Sequence, residues 1–164
     1  MKEAIANVGV FNLIIIFTII LLSFFIGSLS YSKAYKVKNR IINEIELDGG
    51  FNDDTAIMID NYITDVGYRA ESDVNCSDIN GAKSIDTKSR YQYCLYKYEF
   101  KVVSGDKISY VSGDEASYVP EDKISKIVVY YKAITYMYFD VPIIDGLIKI
   151  PISGETKPFV TIKS

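Results

Sequence analysis

Apolar residues crowd into the first fifth of this chain. Ala4–Ser32 runs 29 residues without a charge, and twelve of the fourteen residues in Leu13–Ile26 are Leu, Ile or Phe. A helix rises about 1.5 Å per residue, so roughly 20 apolar residues cross a hydrocarbon layer of about 30 Å. Val8–Gly27 has that length. At roughly −0.3 to −0.6 kcal/mol per apolar residue, the Leu, Ile and Phe side chains of Leu13–Ile26 favour insertion by about 4–7 kcal/mol. The hydroxyls of Thr18 and Ser23 subtract little, since they can bond to carbonyls of the preceding turn. A buried core helix is usually shorter and carries a polar stripe, and a cleaved secretory signal has an apolar region of about 7–15 residues. The pattern therefore predicts a membrane anchor over residues 1–32 and a domain over residues 33–164.

The apolar period then becomes helical and one-sided. Ala34, Val37, Ile41, Ile42, Ile45 and Leu47 recur at three- and four-residue spacings, with Lys36, Arg40, Asn43 and Glu46 between them. This predicts a membrane helix that continues as an amphipathic one and stops at Gly49-Gly50. A short second helix is expected over Asn52–Val66, capped by Asn52 or Asp53, with Ala56, Ile59, Ile63 and Val66 on one face and Gly67 just past its end. Its acids Asp53, Asp54, Asp60 and Asp65 read as a solvated face in preference to a cation site.

From Gln92 the period is two. Cys94, Tyr96, Tyr98, Phe100 and Val102 alternate with Lys97, Glu99 and Lys101; Ile127, Val129, Tyr131, Ala133, Met137 and Phe139 alternate with lysines and tyrosines. Strands are expected over Gln92–Val103, Lys107–Val111, Ile124–Asp140 and from Leu147 into Thr156 or as far as Ile162. Pro151 and Pro158 mark the last as an edge or bulged strand. Glu71–Arg90 is polar, with Asn80-Gly81 as a turn. Helices followed by grouped strands imply an α+β fold: a long N-terminal helix packed on a meander of about four antiparallel strands.

Composition narrows the chemistry. The 164 residues carry a formal charge of −3, with no His or Trp and with 14 Tyr. Without His the commonest general base and metal ligand are missing, and no Gly-rich phosphate loop occurs, so no enzyme, cofactor or metal site is expected. The overall charge points to no nucleic-acid role. Asp73-x-Asn75-x-Ser77 begins like a calcium loop, but Asp78 and Ser84 stand where glycine and the closing carboxylate belong. Asn75-Cys76-Ser77 fits the short glycosylation pattern. Cys76 and Cys94 form a disulfide if the domain is exported; otherwise they are two free thiols.

Within the anchor, Ser23, Gly27, Ser30 and Ala34 are small residues at spacings that let helices approach closely. Asn12 is the one amide deep in the apolar run, placed either to bond to a neighbouring helix or to meet headgroups. Tyr130, Tyr136 and Tyr138 form either an exposed aromatic patch or ordinary cross-strand packing.

The start Val8-Gly9-Val10-Phe11-Asn12-Leu13-Ile14-Ile15, the amphipathic continuation, and the ending Tyr138-Phe139-Asp140-Val141-Pro142-Ile143-Ile144 … Ile150-Pro151-Ile152-Ser153-Gly154-Glu155-Thr156 resemble TadE-like pilus-assembly proteins and type IV pilin-like minor pilins. The resemblance implies a membrane-anchored structural or assembly subunit with its C-terminal domain outside the cytoplasm, touching the bilayer and other pilin-like subunits or an assembly platform, with no small-molecule substrate. It makes Gly9 the candidate prepilin cleavage site. The fifth residue after Gly9 is Ile14, where such chains carry Glu, so an uncleaved anchor fits better, with Asn12 taking part of that role. The alternative is a single-pass surface domain for adhesion or sensing that joins no filament. Lys33, Lys36, Lys38 and Arg40 oppose the outside placement, since positive residues favour the cytoplasmic side.

Overall fold

The computed structural model describes residues 2–68, 76, 82–85, 93–103, 107–110, 124–140 and 147–162. Two helices, α1 (Lys2–Asp48) and α2 (Asp53–Val66), precede six strands: β1 (Lys83–Ile85), β2 (Cys94–Val103), β3 (Lys107–Tyr110), β4 (Ile124–Asp140), β5 (Leu147–Glu155) and β6 (Phe159–Ile162). The α+β class holds.

Both helix ends are closed by glycine. Gly49 (φ 68°) and Gly67 (φ 64°) take the left-handed conformation that costs other residues free energy, and the amides of Gly50 and Tyr68 reach back to the carbonyls of Ile45 (3.0 Å) and Ile63 (3.2 Å). Of the two candidate caps for α2 the molecule uses Asn52, whose Oδ1 accepts from the Thr55 amide at 2.8 Å.

All strand pairs are antiparallel, but the sheet is not a meander. β4 skips β3 and pairs with β2 over ten positions from Cys94↔Ile134 to Val103↔Ile124. The seventeen-residue β4 spans all ten residues of β2, whereas β3 has four residues and pairs with only the far half of β2. β1, in the stretch expected to be a polar turn region, pairs with the near half of β2. β5 and β6 share the opposite edge, one along each half of β4. The sheet is thus six strands arranged four wide.

β5 and β6 are one edge strand interrupted by a bulge, as the prolines suggested. Lys132 faces Glu155 and Val129 faces Phe159, so three residues, Thr156–Pro158, stand opposite two. There the Thr156 amide donates to the Tyr131 carbonyl (2.9 Å) and the Tyr131 amide donates to Thr156 Oγ1 (3.0 Å). Pro158 has no amide to lose.

The amphipathic half of α1 covers the sheet. Ala34, Val37, Ile41 and Ile45 are fully buried with Ile59 and Ile63 of α2, Leu95 of β2 and Ala133 of β4. Burying each such Ile, Leu or Val side chain is worth about 1.5–3 kcal/mol, far more than helix propensity supplies. Register places Ala133, Thr135 and Met137 of β4 and Ile150, Ile152 and Gly154 of β5 on the helix side. β2 buries both of its faces: Leu95 lies under the helix, while Cys94 and Tyr96 pack on the opposite side with Ala82. The apolar set Cys94/Tyr96 therefore faces away from α1.

Candidate membrane anchor and helix exit site

α1 is one helix with two environments. Its apolar first half is long enough to cross a membrane, and none of its described side chains is buried within the molecule. Leu13 is 68% exposed and Phe24 74%, whereas Ala34 and Val37 are at zero. The transition takes about one turn, between Leu29 and Ala34.

The sequence-nominated residues divide across that transition. Gly9 and Asn12 lie on the exposed helix, and a Cβ at Gly9 would touch nothing within 4 Å. Thr18 and Ser23 turn their hydroxyls back to the carbonyls of Ile14 (2.8 Å) and Ile19 (2.9 Å), so neither leaves a bare polar group in the apolar run. Gly27 is half-buried. Ser30 and Ala34 are already engaged by the molecule's own sheet: Ser30 Oγ donates to the Tyr138 carbonyl (2.6 Å) and Thr135 Oγ1 donates to the Ala34 carbonyl (3.0 Å).

β4 outruns β2 at this end. Past Ile134 its backbone finds substitutes: the Tyr68 hydroxyl donates to the Tyr136 carbonyl (2.9 Å) and accepts from the Tyr136 amide (2.8 Å), and Ser30 serves Tyr138. Tyr68 follows the α2 cap directly, so the glycine that ends α2 also delivers this hydroxyl to β4. Composition showed abundant tyrosine, but no local pattern marks Tyr68 as a strand surrogate, because its partner is 68 residues away.

A cleft of about 260 Å³ opens at the same place, with Ile26 and Leu29 as its apolar floor, Lys33 at its outer side, and Tyr68, Tyr136 and Tyr138 as walls. Lys33 Nζ donates to the Gly67 carbonyl at 3.4 Å, at the negative end of α2. Burial pushes the Tyr68, Tyr93 and Tyr136 phenols above their usual range, and the charge of Asp60 adds to the rise at Tyr93. The Tyr93 hydroxyl is buried with no hydrogen-bond partner among the described residues.

Of the two readings of Tyr130, Tyr136 and Tyr138, packing is the one found. Tyr138 is buried against Tyr68, Tyr136 is half-buried with Lys149 Nζ 4.5 Å from its ring centroid, and Tyr130 stacks on Tyr98 (4.6 Å) and Phe100 (5.6 Å). Cys76 and Cys94 are joined in a disulfide that ties the segment before β1 to the face of β2 away from α1. Among the described residues no three His, Cys, Asp or Glu side chains gather to hold a metal. Apart from Cys76, the calcium-like stretch Asp73–Asp78 and the glycosylation pattern at Asn75 lie outside the described residues, as does Val141-Pro142-Ile143-Ile144.

Compared with known proteins, the chain matches no family model, no curated protein and no solved structure.

Proposed function

We propose that the chain is a single-pass, membrane-anchored structural or assembly subunit of pilin-like plan, acting by helix packing and protein contact, with its domain outside the cytoplasm. One observation carries this reading: a single unbroken helix is bare and apolar through its first half and forms the buried spine of a small antiparallel sheet through its second. A bare apolar helix satisfies itself in lipid, and in lipid it associates through small residues and interhelical hydrogen bonds. Ser23, Gly27 and Asn12 supply these on the exposed half. The disulfide fits an oxidising compartment.

Oxidative cross-linking in membranes tests the reading. Ser23→Cys and Gly27→Cys should link to a second copy or to a partner's membrane helix, Phe25→Cys should link far less, and Asn12→Leu should weaken the linked fraction. Equal linking at all three sites, or none at any, rejects helix packing as the mode of action.

A second reading, an anchored binding domain outside any filament, draws on the far end of the molecule. There Ile57 and Met58 are 59% and 49% exposed and line a hollow with Asp48, Asn52 and Asp54. A protein that remains monomeric in membranes and yet is retained by cells through this hollow would favour it.

A further inference from the structure

We propose that the cleft where α1 leaves the sheet holds one anionic phospholipid of the leaflet facing the domain. The inference rests on the anchor reading but not on filament assembly. Three observations converge. The first is continuity: the floor, Ile26 and Leu29, belongs to the exposed apolar helix, at 45% and 50% exposure, so an acyl chain lying along α1 enters the cleft without leaving hydrocarbon. The second is depth. Lys33 lies four residues beyond Leu29, a rise of about 6 Å, and the headgroup region above the hydrocarbon edge is about 5–7 Å thick. With Leu29 at the hydrocarbon edge, Lys33 is at phosphate height.

The third is charge. Among the described residues the lining includes one cation, Lys33, and no carboxylate. The ammonium has three donors, and the 3.4 Å bond to the Gly67 carbonyl uses one, leaving donors for phosphate oxygens. A second cation stands close by, with Lys149 Nζ over the ring of Tyr136, one of the walls. Tyrosine walls suit this depth, where one side of the ring meets chains and the other meets headgroups. A zwitterionic lipid brings its own cation to a site already lined by Lys33, with Lys149 nearby, whereas an anionic lipid does not.

The test uses the full chain reconstituted in phosphatidylcholine vesicles doped with spin-labelled lipid. Spin-labelled phosphatidylglycerol should show a larger motionally restricted fraction than spin-labelled phosphatidylcholine. Lys33→Gln should abolish that excess, and Leu29→Trp, which fills the exposed floor without touching the core, should reduce the restricted fraction of both lipids. Lys36→Gln, on an exposed position of the same helix outside the cleft, should leave the excess intact. No excess in the unmodified protein, or equal loss from Lys33→Gln and Lys36→Gln, overturns the proposal, since the second result means diffuse surface attraction. Failure of the protein to float with the vesicles rejects the anchor itself. Flotation without lipid preference rejects only the cleft.

Discussion

The hydroxyl of Tyr68 stands in for a neighbouring strand at Tyr136, donating to its carbonyl at 2.9 Å and accepting from its amide at 2.8 Å. β2 ends its pairing at Cys94↔Ile134, so among the described residues no strand reaches Tyr136 on that side of β4. Deleting the hydroxyl strands two backbone groups at a nearly buried site, and each such group costs about 1–3 kcal/mol when left unpaired. Tyr68→Phe should therefore lower the unfolding free energy of the full chain in detergent by roughly 1–3 kcal/mol. An unchanged denaturant midpoint would mean that water replaces the phenol there.

Tyr93→Phe should behave in the opposite way. The Tyr93 hydroxyl is buried and unbonded among the described residues, so its removal takes away a desolvated polar group and no hydrogen bond. The expected result is an unchanged or raised Tm. A loss as large as that of Tyr68→Phe would show that the hydroxyl has a partner when folded.

These two tyrosines also mark what local pattern can and cannot reveal. The helix boundaries, the period-two strands and the edge character of the last strand follow from spacing, glycine and proline, all of which act within a few residues. The pairing order does not: a meander places β3 between β2 and β4, but β2 pairs with β3 on one side and along its whole length with β4 on the other. β1 was hidden because only three residues of a polar stretch pair. Ser30 and Ala34 share the four-residue small spacing of Ser23 and Gly27, yet the sheet uses the first pair and leaves the second on the bare helix. Which part of a small-residue stripe meets lipid depends on where the domain begins to cover the helix, and that is set by β4, more than 100 residues later.

Stability should fall at alkaline pH, beginning near the ordinary phenol range. Tyr68, Tyr93 and Tyr136 all have folded pKa values raised, chiefly by burial, while in the unfolded chain they titrate near about 10. Above that pH the unfolded state binds fewer protons than the native one, so unfolding becomes easier as pH rises. Below it the contribution is fully present and flat. Denaturant midpoints in detergent should hold steady up to about pH 9–10 and decline beyond, and the double variant Tyr68→Phe/Tyr93→Phe should show a shallower decline. A midpoint that rises through this range would contradict the burial of these groups.

Gly154 sets how closely α1 lies on β5. A Cβ built there would sit 2.6 Å from Ile42 Cδ1 and 2.9 Å from Lys38 Cδ. Both are ends or stems of flexible side chains, so Gly154→Ala should be partly absorbed, while Gly154→Val should push the helix off the sheet edge and cost about 1–3 kcal/mol. Thermal unfolding of the two variants orders them. If Gly154→Val is as stable as the parent, the close approach of α1 to β5 is not tight in solution.

The two cysteines offer a test of which side of the membrane the domain occupies. Four cations follow the apolar span, which by charge count alone would hold the domain in the cytoplasm. Three of them have work within the fold. Lys33 donates to the Gly67 carbonyl, Lys38 lies over the Tyr35 ring at 4.2 Å with its stem against the Gly154 position, and Arg40 pairs with the buried Glu44 at 2.6 Å. The Cys76–Cys94 bond spans 18 residues, and in the chain-entropy model a loop of that size stabilises the fold by about 3 kcal/mol. With the domain outside, a membrane-impermeant maleimide should label intact cells only after reductant, and reduction should lower Tm in detergent by an amount consistent with that loop. Labelling that appears only after lysis, without need of reductant, would place the domain in the cytoplasm with both thiols free.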